Sequence, residues 1–344
     1  MNETSSRLSH LVSPVFHLRS LSRWLLPCAV LTGAAKLAAD VPPPLAAPKP
    51  AAPPVAVAPA APPFTVPPAA APAPAAGADG TVPLPQDVVA KATARLKELV
   101  ARQDALLATA GKENVDLDNV KRDIQTLIFD YDAFLRTYPT FAPGYVTYGL
   151  LLGKVGMRRE AAAMLLKANL LDPNLPLVKN QLGNYLAEEG EPVEAVNYFL
   201  SALQLAPNEP LYHYQLGTLL TEARDDFLKS GMWTRAQLDQ TIQDAFKHAA
   251  DLAPDNITYA YCYAFSFYDL AEPKWDEALK LWGALEDRVA PGLEKETIRL
   301  QAANVLIKQQ KFDHARMLLA TVTTPQLQKQ KQELLDQLPA EAGK

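Results

Sequence analysis

Residues 148–168 read YGLLLGKVGMRREAAAMLLKA and residues 182–202 read LGNYLAEEGEPVEAVNYFLSA, two stretches in register at a spacing of 34. Gly149, Gly183 and Gly217 mark the period, and a leucine follows each three residues on, at Leu152, Leu186 and Leu220. Twelve residues after the first two glycines stand Ala161 and Ala195, followed by Leu165 and Phe199, then Ala168 and Ala202. Each of these two units closes on a proline, Pro173 or Pro207. A fixed period of this length means that one supersecondary unit is stacked on copies of itself, because a single unit cannot bury its own apolar face. The physical roles follow from residue size. Glycine and alanine let paired helices approach closely, Leu165 and Phe199 are expected to fill the space between repeats, and proline ends each unit because it cannot continue a helix.

Large-x-x-Leu-Gly-x-x-Leu, then alanine, a bulky residue, alanine and proline, resembles the tetratricopeptide repeat (TPR), a helix–turn–helix unit. The resemblance implies an all-α, right-handed α-solenoid of about five to six units, preceded by a disordered Pro/Ala-rich segment. The first full units span 142–175 and 176–209. The third starts at Pro210 and keeps Leu216, Gly217 and Leu220, but reaches Phe246, Ala249 and Pro254 thirteen residues late. The inserted residues, around Phe227 to Leu238, contain Gly231 as a helix stop and Thr234 with Gln237 in capping-box spacing. Two lengthened helices are expected there, protruding by roughly 10 Å. Met232 and Trp233 fall at the tip, either as an exposed contact point or packed back on a neighbouring turn.

In the fourth unit, 257–291, Tyr263, Ala264, Phe267, Ala278 and Trp282 are in register. Alternation of Tyr259, Tyr261, Tyr263, Phe265 and Phe267 would by itself argue for a strand. Flanking repeats, and Trp275-Asp276-Glu277-Ala278 where a second helix should start, decide for a helix. A fifth unit, 294–325, keeps Ala303, Leu306, Ala315 and Leu319 without the glycine and proline. Polar residues from Pro325 to Leu338 suit a cap on an open solenoid end. The expected organisation is thus a targeting segment over 1–39, a Pro/Ala linker over 40–85, a diverged helical pair over 86–139, the repeat body over 140–325, and a capping helix and tail over 326–344.

The N-terminus carries Arg7, Arg19 and Arg23 against one acid, Glu3, then an apolar run from Trp24 to Ala35 and a small-residue end at Ala38-Ala39. This is the order of a secretory signal peptide cleaved near Ala39. Its apolar run of about 12 residues falls short of the roughly 20 needed to span a bilayer as a helix. About half of the 30 prolines lie between Val41 and Gln86, among alanines and almost no charge. A chain so poor in side chains to bury is expected to stay extended. In polyproline II form its reach is at most about 140 Å, a semi-rigid spacer. Pro53-Pro54 and Pro62-Pro63 also have the form of ligands for a proline-binding module, although no Lys or Arg cluster flanks them. The net charge is -5, and the first 85 residues carry five bases against three acids, so the helical part is more acidic still. Such a body is poorly matched to nucleic acid, where affinity comes largely from Lys and Arg.

In the family that the repeat resembles, the first helix of each unit lines a groove. The resemblance places Asn180, Gln181, Asn184, Tyr214, Thr218, Tyr261, Phe265, Tyr268, Gln301 and Asn304 there, an uncharged amide and aromatic set. Amides bridge the donors and acceptors of an extended peptide, and tyrosines offer apolar area with a polar tip. Where family members clamp a C-terminal carboxylate with Lys and Arg, this chain has Val146, Leu211 and Gln215. Chemistry finds little footing. His213, His248 and His314 match no metal-site spacing, Gly153-Lys154-Val155-Gly156 lacks P-loop spacing, and Cys262 sits in an apolar context that favours an inert thiol. No catalytic residue, cofactor or metal is expected. The expectation is a non-enzymatic scaffold for a protein or peptide partner, exported to the periplasm or envelope, with membrane association only through an uncleaved N-terminus. The alternative is an intracellular adaptor that keeps its N-terminus. N-terminal sequencing of protein from its native cell should give a start near Asp40; a start at Met1 would remove export.

Overall fold

The computed structural model describes residues 84–110 and 116–339. The expected targeting segment, and all of the Pro/Ala linker except Leu84 and Pro85, lie outside the described residues. Those described contain 14 α-helices and no strand, and none of the helices is long and apolar enough to cross a membrane. They fall into two compact units, one ending at Pro207 and one starting at Asn208.

The first unit holds α1 (Gln86–Ala110), α2 (Leu117–Thr137), α3 (Ala142–Lys154), α4 (Arg158–Leu171), α5 (Pro176–Glu188) and α6 (Pro192–Leu205). Asp116 caps α2, its carboxylate accepting from the Asp118 and Asn119 amides. Leu99, Leu127 and Tyr131 are buried to 1% exposure or less where α1 and α2 meet. Tyr131 donates its buried hydroxyl to Gln103 at 2.8 Å. Its ring stacks on that of Tyr148, with centroids 5.1 Å apart, and so joins the diverged pair to the first full repeat. Burial pushes the Tyr131 phenol up to about 12.

The two full repeats, α3–α4 and α5–α6, are closed by a contact that the period encodes. A Cβ on Gly149 would stand 3.0 Å from Leu165 Cγ, and one on Gly183 3.2 Å from three ring carbons of Phe199. Leu165 and Phe199 are therefore seated on the bare backbone of their own repeat's first helix, and Leu165 also packs with Val178 and Leu182 of the following repeat, between repeats as expected from sequence. The turn within each repeat uses a left-handed residue, Gly156 at φ 81° and Gly190 at φ 87°, again 34 apart. In the fifth repeat the same place is taken by Gln310 at φ 59°, where a side chain is strained.

The second unit holds α7 (Pro210–Glu222), α8 (Arg224–Ser230), α9 (Arg235–Leu252), α10 (Ile257–Ser266), α11 (Trp275–Arg288), α12 (Leu293–Lys308), α13 (Phe312–Ala320) and α14 (Gln328–Leu335). All five tyrosine and phenylalanine positions that alternate at 259–267 are helical: α10 carries four of them and a 3-10 turn, Phe267–Asp269, the fifth. Tertiary packing overrides the period-two pattern. The thirteen inserted residues are arranged differently from the expectation of two lengthened helices. The first helix stops at Glu222 with the usual 13 residues. A break at Ala223 starts α8, which ends at Gly231 in the left-handed conformation. Only the second helix is longer, with 18 residues and the expected capping box between Thr234 and Gln237. The added chain leaves the close approach intact: a Cβ on Gly217 would stand 2.9 Å from Phe246 Cδ1.

Asp239 pins this insertion in place. It is 6% exposed, is paired with Arg224 of α8, and accepts from Arg235 Nε at 2.9 and 3.1 Å. Its Oδ2 also accepts from the Ala271 amide at 2.9 Å, while Arg235 donates to the Asp269 carbonyl. Stripping one partner from a buried ion costs about 3–5 kcal/mol, so the carboxylate ties α8 and α9 to the turn that follows α10. At the far end, Glu296 of α12 accepts from the Thr324 amide at 2.7 Å and from the Thr323 amide and hydroxyl at 2.8 and 3.0 Å. These bonds, the Thr324 amide foremost, hold its carboxyl well below the usual 4.5, at about 2. They fix the chain between α13 and α14.

Two measurements check these contacts. Gly217→Ala adds a methyl that Phe246 must give way to, which costs about 1–3 kcal/mol, against a helix-propensity gain of up to about 1 kcal/mol. A net loss of about 1 kcal/mol is expected in urea unfolding followed by tryptophan fluorescence, because Trp233, Trp275 and Trp282 all lie in the second unit. Combined with Phe246→Leu the loss should be less than additive. For Glu296, a depressed pKa means stabilisation that is complete above the unfolded value and is lost as pH falls through the folded one. Glu296→Gln should therefore be less stable than wild type at neutral pH, and the gap should close between about pH 4.5 and pH 2.

Candidate functional site

The first helices of the second unit, α7, α10 and α12, follow one another along one side of the unit, and ring and hydrogen-bond contacts connect them. Tyr214 of α7 meets Tyr259 of α10, centroids 5.0 Å apart. Along α10, Tyr261 stacks over Phe265 at 6.2 Å, Phe265 meets Tyr268 at 5.3 Å, and Tyr268 meets Trp275 at 5.7 Å. Tyr268 then reaches α12 by donating its hydroxyl to the Gln301 carbonyl at 2.7 Å. Burial drives the Tyr268 phenol far above its ordinary value, so it stays protonated as a donor. Tyr214, Tyr259, Phe265, Tyr268, Gln301 and Asn304 are all half-buried. Helix α10 itself, ITYAYCYAFS, contains no Asp, Glu, Lys or Arg.

This arrangement sorts the sequence-derived residues. Tyr261 is 1% exposed, edge-on to Trp282 at 4.9 Å, and belongs to the core rather than to an accessible face. Thr218 is half-buried, and its hydroxyl donates back to the Tyr214 carbonyl at 3.0 Å, as helical threonines do. In the first unit, Gln181 and Asn184 are half-buried on α5. Asn180 is fully buried, with neither amide atom hydrogen-bonded among the described residues. It is interior and not a groove residue, for the geometric reason that its α5 position faces packed neighbours. Trp233 is likewise interior: it is 4% exposed and stands edge-on to Phe227 with centroids 5.3 Å apart. The proposed protruding tip is thus packed back on α8, and only Met232, half-buried, keeps some access to solvent.

Two ring pairings are not legible in the sequence. Tyr259, one of the alternating aromatics, pairs with Tyr214 of another helix, a contact that spacing along its own helix does not reveal. His213 and His248 come together as stacked rings 5.2 Å apart. They are 35 residues apart in sequence, and no local motif joins them. Among the described residues no three His, Cys, Asp or Glu side chains gather in a way that could hold a metal ion.

Comparison with known proteins bears on the fold. No protein-family model matches the sequence, and no curated protein matches it. Among solved structures, the C-terminal part of a TPR repeat-containing protein from Cytophaga hutchinsonii is similar with a TM-score of 0.50 at 13% identity, covering 74% of this chain and 95% of that one. PilF of Pseudomonas aeruginosa is similar at a TM-score of 0.48 and 16% identity, covering 71% and 99%. YrrB, described as a TPR protein with an unusual peptide-binding site, gives 0.47 and 17%, covering 60% and 92%. At such identities the likeness concerns the fold alone. With the helix pairs and their glycine contacts, it makes this a tetratricopeptide-type helical repeat.

Burial of Trp233 has a measurable consequence. Trp233→Ala should lower stability by roughly 3 kcal/mol or more, as for a large aromatic removed from a core, whereas Met232→Ala should change it by less than about 1 kcal/mol. Urea unfolding followed by circular dichroism distinguishes the two.

Proposed function

We propose that this chain is a non-enzymatic interaction scaffold that docks an extended, uncharged stretch of a protein partner on the first-helix face of its second unit. The observation that carries the reading is two pairs of half-buried rings on the first helices, Tyr214 with Tyr259 and Phe265 with Tyr268, together with half-buried Gln301 and Asn304. Half-buried rings have few rotatable bonds and lose little entropy on binding, which is why aromatic side chains are enriched in interfaces. Amides beside them supply donors and acceptors for a peptide backbone. Helix α10 carries no charge to hold a terminal carboxylate or a phosphate, which favours a partner recognised by shape and apolar contact. Gln181 and Asn184 of α5 give the first unit amides of the same kind. We further propose that the scaffold works in the cell envelope, where the basic and then apolar N-terminal segment would deliver it.

The test is native co-purification with mass spectrometry, comparing wild type with Tyr214→Ala/Tyr259→Ala/Phe265→Ala. The triple variant, with circular dichroism and unfolding midpoint close to wild type, should lose its partner almost completely. Undiminished recovery from a folded triple variant would sink the assignment of this face.

A further inference from the structure

The stacked rings of His213 and His248 have no role in partner docking as proposed above, and both lie within the second unit, on α7 and α9. We propose that this pair makes the third repeat acid-sensitive. The closed repeat accommodates one added proton on the two imidazoles but not two, so uptake of the second opens α7 from α9. This goes beyond the docking reading and does not depend on it.

Three observations carry the inference. His213 is 2% exposed, and burial opposes the charged form of an imidazole. His248, half-buried, lies against it with ring centroids 5.2 Å apart and planes 15° from parallel. A proton on one ring therefore raises the cost of a proton on the other, and the two titrate as a pair. Finally, Nδ1 of His248 stands 2.6 Å from the Asp244 carbonyl oxygen. A carbonyl only accepts, so this nitrogen carries a hydrogen, and a proton added to the ring goes to Nε2.

The charged groups around the pair favour a single imidazolium on the outer ring. On α9, Asp244 and Asp251 lie about one turn to either side of His248, and Lys247 pairs with Asp251 at 2.5 Å on the exposed side. Glu209, about one turn before His213, is exposed, and its carboxylate accepts from the Leu211 amide at 3.5 Å. Glu222 stands at the far end of α7, where α8 begins, and Arg224 of α8 is engaged with Asp239. Helix α10, packed on α9, brings ionisable Tyr259, Tyr261, Cys262 and Tyr263 but no Asp, Glu, Lys or Arg.

Unfolded, an imidazole takes up its proton near about pH 6.5. Below that pH the unfolded chain binds more protons than the closed repeat. Stability is thus fully present above about pH 6.5 and is lost as pH falls beneath it, by about tenfold in the unfolding constant per pH unit. The strain falls where α7 and α9 meet, at the approach of Phe246 to Gly217 and to the Tyr214 ring, 6.1 Å away.

The experiment follows the imidazole nitrogens of His213 and His248 by NMR in the folded full chain from pH 7.5 to pH 5, with urea unfolding of wild type and His213→Phe over the same range. The expected result is that only one of the two rings becomes doubly protonated while native signals persist. Between pH 6.5 and pH 5 the wild-type unfolding constant should rise about thirtyfold more than that of His213→Phe. Both rings doubly protonated in the folded protein at pH 5.5, or parallel profiles for wild type and variant, would overturn the proposal. His248→Phe, which also leaves a single ring, serves if His213→Phe does not fold, and the count of protonated rings needs no variant.

Discussion

A side chain from the second helix of a repeat rests on first-helix backbone that carries no Cβ, and the rest of the architecture is arranged around that approach. Leu165 on Gly149, Phe199 on Gly183 and Phe246 on Gly217 are the same contact made three times, at distances where an added methyl would have to displace a neighbour. Glycine inside a helix costs about 1 kcal/mol relative to alanine. The cost is offset because the close approach lets a large apolar side chain be buried without a void. Fixing one side chain per repeat in this way sets how the two helices pair. The pairing in turn leaves the outer side of each first helix to serve as a surface.

The insertion shows how strongly this contact constrains the chain. Thirteen extra residues separate Gly217 from Phe246, yet the ring still reaches the glycine. The extra chain had to be absorbed elsewhere, and α8 absorbs it, with Phe227 fully buried and Trp233 closing over it. Asp239 completes the arrangement by binding two arginines and the Ala271 amide. That amide belongs to the turn after α10, directly beyond Tyr268. Thus the insertion, which looks at first like an appendage, is a buttress for the element that carries Tyr259 and Phe265.

Helical pairing, the capping box at Thr234, the left-handed stop at Gly231 and the close approaches at the period glycines were all legible in the sequence, because each depends on residues near one another along the chain or at a fixed period. Less of the candidate face was legible. Repeat register assigned Tyr214, Phe265, Gln301 and Asn304 to the first-helix side, and they are half-buried there. The same register also assigned Asn180 and Tyr261, which are buried to 1% exposure or less. Register gives the direction in which a side chain leaves its helix. It does not give the size of the neighbours that close over it, and for these two the neighbours decide.

The amino-acid sequence alone thus determined the helix–turn–helix unit and its period, since both follow from where glycine, alanine, leucine and proline fall relative to a helical turn. It also set the uncharged character of α10. Only the tertiary structure decided that Trp233 points inward, that Tyr259 joins Tyr214, and that Asp239 holds the insertion against the next turn. Those outcomes depend on contacts between residues far apart along the chain. Their energies come from the burial of apolar area and the pairing of a buried charge, and neither can be assigned until the neighbours are in place.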